Sequence, residues 1–405
     1  MIRRRAYKAE LDPNDRQRSA LLRHAGAARF AWNWGLARKM EAWKNGETAL
    51  TAIDLHRELV ALKKTDFHWL YEVSKCAPQE ALRNLDQAYQ NFFRRCKNGA
   101  KKNGFPKFKS RKRGIGSFAL TGSIRVTERT IQLPRLGALR LKEHGYLPIN
   151  AKITRATVSE RAGRWFVSIQ VEEEIPDPKP KDGNVIGIDV GIRHLATLSD
   201  GTVFENPNAL RQAEHRERLL QKAVGRKRKG SHNRQKAVDR LARQHYRISC
   251  LRSDAIHKAT SAVIAKQPAT IVIETLTVAG MMQNHCLAKA ISDAAMAEFH
   301  RQIKYKAEWA GIPVIKAPKF YPSSKTCSQC GAVKEELPLG EKTYRCDTCG
   351  LVLDRDLNAA INLKKLAASS AVTAYCHGSS DQGESLGETP VWVGTEHQIG
   401  RVLDG

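Results

Sequence analysis

Apolar and polar positions alternate weakly over residues 2–10, which predicts a strand, and the period then lengthens to that of a helix. Asp12-Pro13 offers an N-cap and a proline for the first helical position, with Asp15 in the first turn. Trp32, Leu36, Met40 and Trp43 follow at helical spacing and read as core rather than as surfaces for base stacking. A further helix opens at Pro78, with Leu82, Leu85, Tyr89, Phe92 and Phe93 on one side. Beyond the helices the period shortens to two. Strands are expected at 123–126, 130–133, 138–141, 153–159 and 165–171, and Arg161-Ala-Gly-Arg164 between the last two is a hairpin signal. These strands read as a small β-barrel, and residues 11–114 as a helical insert behind one short strand.

Three prolines within residues 176–181 suggest a linker. Asn184-Val-Ile-Gly-Ile-Asp189-Val-Gly191 is then a buried-strand run interrupted by one carboxylate. Residues 194–198 and 202–204 form a meander turning at Ser199-Asp200-Gly201. A long basic helical region over 208–266 leads to a second apolar strand, Ala269-Thr-Ile-Val-Ile-Glu274, also ending in an acid. A helix near 289–310 and a strand at 313–316 complete an α/β half. Beyond residue 366 the composition turns to serine, glycine and acids, and residues 367–405 read as a largely disordered tail.

Composition narrows the partners. The chain has 405 residues, with 68 Lys and Arg against 41 acids, a net charge of +27. Solubility needs far less, so a polyanion is the expected partner, although a ribosomal or membrane-surface protein could share the charge. No apolar run is long enough to span a bilayer, and the start lacks the apolar core of a signal peptide. The excess is concentrated. Residues 94–113 hold ten Lys or Arg and no acid, interleaved with Phe105 and Phe108, and 211–247 hold thirteen against three acids. A charge run is often only a solvated face, but two of them favour contacts to a phosphate backbone. Candidates are Lys101, Lys102, Lys107, Lys109, Arg226, Lys227 and Arg228.

The chemistry gathers near the end. Cys327-Ser-Gln-Cys330 and Cys346-Asp-Thr-Cys349 are two CxxC pairs, each followed by glycine. Four soft thiolates in two tight knuckles specify a closed, structural Zn²⁺ site rather than disulfides. Cys76, Cys96, Cys250, Cys286 and Cys376 are scattered, as suits a reducing cytoplasm. Asp189 and Glu274 each end an apolar strand, where an ionised carboxylate is costly without a cation or hydrogen-bond partner. Asp356, at the mouth of the helix that follows the second knuckle, could join them. Three hard oxygen donors suit Mg²⁺ and, with two ions, phosphodiester hydrolysis. Each acid alone has a plainer reading: a turn residue, a surface acid and an N-cap.

These motifs in this order resemble the transposon-encoded TnpB family. Ile186-Gly-Ile-Asp189-Val-Gly-Ile-Arg-His-Leu-Ala-Thr is similar to its first RuvC motif and Ile273-Glu274-Thr-Leu to its second. The cysteine pairs followed by Asp354-Arg-Asp356-Leu-Asn358-Ala-Ala-Ile-Asn362 are similar to its zinc finger and third motif. The resemblance implies an RNA-guided endonuclease that cleaves double-stranded DNA beside a short flanking motif, with guide RNA and target DNA as partners, and neither a membrane nor a small-molecule substrate. It implies an RNase H-like RuvC nuclease domain at 181–366 with the finger at 322–352. It also implies a wedge barrel at 1–10 and 115–180 and a helical recognition lobe at 11–114. Carried over by position, the catalytic, Mg²⁺-binding acids are Asp189, Glu274 and Asp356, with Asp354 supporting. Lys75, Gln79 and Thr121 fall where the family reads the flanking motif. Gly122 stands where a relative has asparagine and Cys76 where one has an aromatic residue, so the motif itself does not carry over. The expected setting is the prokaryotic cytoplasm, close to the nucleoid.

Two neighbouring readings share the chemistry. A compact type V CRISPR effector has the same motifs, and a nuclease-dead repressor would keep the fold without the acids. A DDE transposase orders its acids Asp, Asp, Glu, whereas this chain has Asp, Glu, Asp with the finger before the last.

Overall fold

The computed structural model describes residues 2–99, 103–177, 183–338 and 340–367. Lys101 and Lys102, residues 178–181 of the expected linker, and residues 368–405 of the expected tail lie outside them. The chain divides into two compact units, Met1–Asp177 with Gln212–Cys250, and Pro178–Arg211 with Leu251–Gly405.

The first unit opens on β1 (Ile2–Leu11), continues through helices α1 (Asp15–Lys44), α2 (Ala52–Leu62) and α3 (Cys76–Lys97), and then turns to strands. These are β2 (Ser117–Leu120), β3 (Arg125–Val126), β4 (Thr130–Leu133), β5 (Gly137–Arg140), β6 (Lys152–Arg161) and β7 (Arg164–Glu174). They make two antiparallel sheets, ordered β1-β7-β6-β2 and β3-β4-β5. The β6–β7 hairpin turns at Ala162 and Gly163, both with positive φ (56° and 81°), the pair of left-handed residues that a two-residue turn between right-twisted strands requires. One core joins helices and sheets: Leu21, Trp32, Leu36, Leu82 and Leu85 pack with Phe118, Val158 and Ile169.

Two expectations for α1 change. Its N-cap is Asn14, not Asp12: the Asn14 side chain accepts from the Gln17 N–H at 2.9 Å while the Gln17 side chain accepts from the Asn14 N–H at 3.0 Å. This reciprocal box leaves Pro13 just outside the helix. Trp43 is 82% exposed and not core, because the buried position in the last turn is its neighbour Ala42.

The second unit begins with β8 (Val185–Asp189), β9 (His194–Leu198) and β10 (Val203–Glu205). Helices α4 (Ala209–Gly225) and α5 (His232–Ala265) follow, with their residues 212–250 belonging to the first unit. Then come β11 (Thr270–Ile273), α6 (Val278–Met281), α7 (Ala288–Ala294), α8 (Met296–Ala310) and β12 (Val314–Lys316). A small β13 (Thr343–Arg345) and β14 (Val352–Asp354) ribbon precedes α9 (Arg355–Leu366). The helix expected over 289–310 is two helices, because Ala295 is left-handed (φ 50°) between α7 and α8.

The main sheet has the order β10-β9-β8-β11-β12, with β8, β11 and β12 parallel and β8, β9 and β10 an antiparallel meander. Parallel strands are covered on both faces, which is why β8 and β11 are apolar at nearly every position. Ile271 and Ile273 pack with Phe299 and Ile303 of α8, and Val272 between them packs with Leu363 of α9. Alternation along β11 therefore assigns Glu274 to the α9 face.

Candidate active site and metal centre

Asp189 and Glu274 come from neighbouring parallel strands. Ile188 is in register with Ile273, so the acids that follow them stand side by side where the strands end. Gly187 brings the third acid. A Cβ on Gly187 would lie 2.1 Å from the Ala360 carbonyl oxygen and 2.5 Å from the Lys364 nitrogen, so only glycine lets the α9 backbone rest on β8. That close packing carries the first turn of α9, with Asp356, to the end of the strand.

Their electrostatics agree. Burial first, and then the charges of Glu274 and Asp356, hold the Asp189 carboxyl well above its usual range. Burial raises Glu274 to about 7, against a hydrogen bond from the Val190 backbone that favours its charge. Asp356 is raised by burial and then by Asp354. Asp189 keeps some exposure. Asp189, with its ionisation opposed by both neighbouring carboxylates, stands with them at a partly open strand end, a set of hard donors that a divalent cation would relieve.

Asp354 does something else. Its side chain caps α9, accepting from the N–H groups of Asp356 at 2.9 Å and Leu357 at 3.2 Å, and lies 3.8 Å from Arg193. The plain N-cap reading therefore fits Asp354, whereas Asp356 sits inside the first turn.

The four cysteines meet. The sulfurs of Cys327, Cys330, Cys346 and Cys349 all lie within 4.8 Å of one another. The two knuckles are built alike. Gly331 N–H donates to the Cys327 carbonyl and Gly350 N–H to that of Cys346, both at 3.0 Å, with positive φ at each glycine (82° and 74°). No disulfide links them. Four thiols gathered this way fit tetrahedral zinc and no harder metal.

Sequence reasoning gave Asn358 and Asn362 no role, though both lie in the quoted motif. Both are buried, and they fasten the first knuckle to α9. Asn358 accepts from the Ser328 N–H at 2.9 Å and donates to the Thr326 carbonyl at 2.8 Å, while Asn362 donates to the carbonyls of Ser323 and Thr326 at 2.8 and 2.6 Å. Their spacing of four, on the helix face opposite solvent, was the available signal. The knuckle and Asp356 are thus parts of one rigid piece.

The other candidates lie in the first unit. Lys75 and Thr121 line one cleft of about 390 Å³ with Ser123, Gln132 and Arg135, and Thr121 touches Cys76 (hydroxyl to Sγ 3.5 Å); Gln79 does not line it. The basic loop is strapped to α1. Trp32 donates to the Lys107 carbonyl at 3.0 Å, Asn33 exchanges two hydrogen bonds with the Lys109 backbone, and the Lys109 ammonium lies 3.7 Å from the Trp32 ring centre. Phe105 and Phe108 are both exposed, and Phe105 packs on Tyr89 and Phe92. Arg226, Lys227 and Arg228 are exposed just past α4.

Three family models match the chain. The one described as "Probable transposase" (OrfB_IS605) covers residues 168–285, a "Cas12f1-like, TNB domain" covers 297–363, and a "Helix-turn-helix domain" covers 1–48. The last stretch is here one strand and one 30-residue helix. Among curated relatives, a "Putative RNA-guided DNA endonuclease" of Streptomyces pristinaespiralis is 39% identical over 94% of this chain and 93% of that one. InsQ of Escherichia coli, with the same description, is 34% identical over 96% and 98%. The "CRISPR-associated endodeoxyribonuclease Cas12f1" of Sulfoacidibacillus thermotolerans is 27% identical over half of each. Both of the full-length relatives carry the description "Putative RNA-guided DNA endonuclease", and identity on this scale along nearly the whole chain, with the acids and cysteines gathered as described, means that the chain belongs to the TnpB family.

Proposed function

We propose that this protein is an RNA-guided endonuclease that cleaves double-stranded DNA next to a short flanking motif, using one carboxylate site. The observation that carries the reading is the convergence of Asp189, Glu274 and Asp356 from β8, β11 and α9 at one strand end, in a chain of net charge +27. The sheet order, three antiparallel strands continued by two parallel ones, supports an RNase H-like RuvC domain. The antiparallel sheets of the first unit support its reading as a wedge domain with a helical recognition lobe inserted.

The three acids would hold Mg²⁺, since their donors are hard oxygens whose charges repel without a cation. When bound, Mg²⁺ supplies the positive charge that activates water and stabilises the departing 3′ oxygen. The chain does the rest. Gly187 lets α9 approach, Asp354 caps it, and Asn358 and Asn362 tie it to the knuckle, so that Asp356 is held before substrate arrives. Zn²⁺ on the four cysteines would be structural, since a closed set of thiolates leaves no open position.

Guide RNA and target DNA are the partners, and base pairing rather than side chains reads most of the target. Lys75, Gln79 and Thr121 are the proposed readers of the flanking motif. Lys101, Lys102, Lys107, Lys109, Arg226, Lys227 and Arg228 are proposed to hold backbone phosphates. No helix among the described residues is long and apolar enough to cross a membrane, and the proposed place of action is the prokaryotic cytoplasm beside the nucleoid. The test is to sequence the RNA that co-purifies with the protein, replace its guide segment, and ask whether cleavage moves to the matching DNA. A cut that ignores the new guide would defeat the reading.

A further inference from the structure

The edge of the main sheet carries a second charged cluster, on the face away from the acids. Lys316 of the edge strand β12 is in register with Ile273, one residue before Glu274, and alternation turns it to the α8 side. There it meets His300 and Lys304, one helical turn apart on α8. Both lysines are exposed, and their ammonium groups are close enough to repel. His300 Nε2 is buried and has no hydrogen-bond partner. Burial, and then the charges of Lys304 and Lys316, push this imidazole down to about 4, so at neutral pH it is an uncharged ring.

Two crowded cations above a polar atom left without a partner oppose folding unless something answers them. Like charges at short range and an orphaned ring nitrogen are relieved together by one anion with several acceptor oxygens. A phosphodiester offers an anionic oxygen to each lysine and two ester oxygens besides, and a small turn of the His300 ring would bring its Nε2–H to one of them. We propose that His300, Lys304 and Lys316 form a phosphate site that seats a backbone phosphodiester of the nucleic-acid strand passing the carboxylate site. This rests on the nuclease reading. β12 is hydrogen-bonded to the strand that ends in Glu274, about 5 Å away across the sheet. A strand crossing the acids and leaving over this edge reaches the cluster within a few nucleotides. The three residues are positioning residues, since they touch a phosphate other than the one cleaved.

The test pairs Lys304→Gln/Lys316→Gln with target strands in which one phosphate at a time is a neutral methylphosphonate. In the wild-type complex, one position away from the cut should slow single-turnover cleavage by roughly tenfold, the worth of a charge-assisted contact. The double variant should already be slow and lose nothing further at that position. Its free protein should melt no lower than wild type, because two repelling charges are gone, which separates a binding role from a structural one. Should the wild type cut no guided target, the nuclease reading has failed. The same scan is then read as affinity for the oligonucleotide, where loss at one phosphate in the wild type alone still supports the site. Equal sensitivity of both proteins at every phosphate, in rate and in affinity, would overturn the proposal.

Discussion

Replacing Gly187 with alanine adds one carbon, and its consequence can be worked out from the contact between β8 and α9. The new Cβ would meet the Ala360 carbonyl oxygen at 2.1 Å, the Lys364 nitrogen at 2.5 Å and the Leu363 Cβ at 3.1 Å, where ordinary contact begins at 3.4 Å. Two of the three are backbone atoms, so no side-chain rotation relieves them. The helix must back away by roughly 1 Å, at a cost near the upper end of the 1–3 kcal/mol typical of overpacking. A loss of about 3 kcal/mol in a unit of this size lowers Tm by roughly 6–12 °C. The larger effect falls on chemistry. Asp356 moves with α9, and a misplacement of about 1 Å at a reacting group costs on the order of 10²-fold in rate. Single-turnover cleavage by the guide-loaded protein should therefore fall by about that factor, with target affinity close to wild type because guide pairing does not pass through α9. Gly26→Ala is the control: the site in α1 has nothing within 4 Å, and alanine there should raise stability by up to about 1 kcal/mol without touching cleavage. A Gly187→Ala protein that cuts at the wild-type rate would refute the claim that this contact positions the acid.

Four further outcomes follow. Glu274 is raised from 4.5 to about 7, so the folded state binds its proton more tightly than the unfolded one; its contribution is full below pH 4.5 and falls away, by about 3 kcal/mol, as pH rises to 7. Thermal melts without Mg²⁺ should show Glu274→Gln gaining on wild type across that window, with Mg²⁺ closing the gap at pH 7; parallel curves would contradict this. Purified protein should carry one tightly held zinc per chain by elemental analysis. Asn358→Ala should cost roughly 1–3 kcal/mol, seen by denaturation, through the backbone groups of Ser328 and Thr326 left without partners. Neutralising Lys101, Lys102, Lys107 and Lys109 should reduce the slope of log affinity against log salt by about 0.7–0.9 per lost phosphate contact, with flanking-motif preference unchanged; identical slopes would mark the loop as merely solvated.

What could be read from the sequence follows from how local each signal is. The cysteine knuckles, the Ala162-Gly163 turn and the apolar strands ending in Asp189 and Glu274 declare themselves within a few residues, because their backbone geometry or burial depends on neighbours in sequence. The left-handed break at Ala295 carries no glycine or proline to mark it and is held by tertiary packing. Trp43 matches the helical period of the core, yet Ala42 takes the buried position in that turn. The role of Gly187 was equally hidden, since a glycine in a strand does not say which helix rests on it. In the fold Asp354 and Asp356 are told apart by capping geometry, since only the Asp354 side chain accepts from the first N–H groups of α9, whereas the resemblance separates them by motif position alone.

Asp189, Glu274 and Asp356 are proposed to form the cleavage site, while Asp354 only supports the helix that carries one of them. The most direct test of this is the single-turnover cleavage rate of a guide-matched double-stranded target by Asp189→Ala, Glu274→Ala, Asp356→Ala and Asp354→Ala proteins, with target affinity measured alongside. The first three should bind the target as wild type does and cut neither strand, and Asp354→Ala should bind and cut more slowly, by the loss of a helix cap worth about 1 kcal/mol. Cleavage at wild-type rate by Asp356→Ala, with Asp354→Ala inactive, would contradict the assignment.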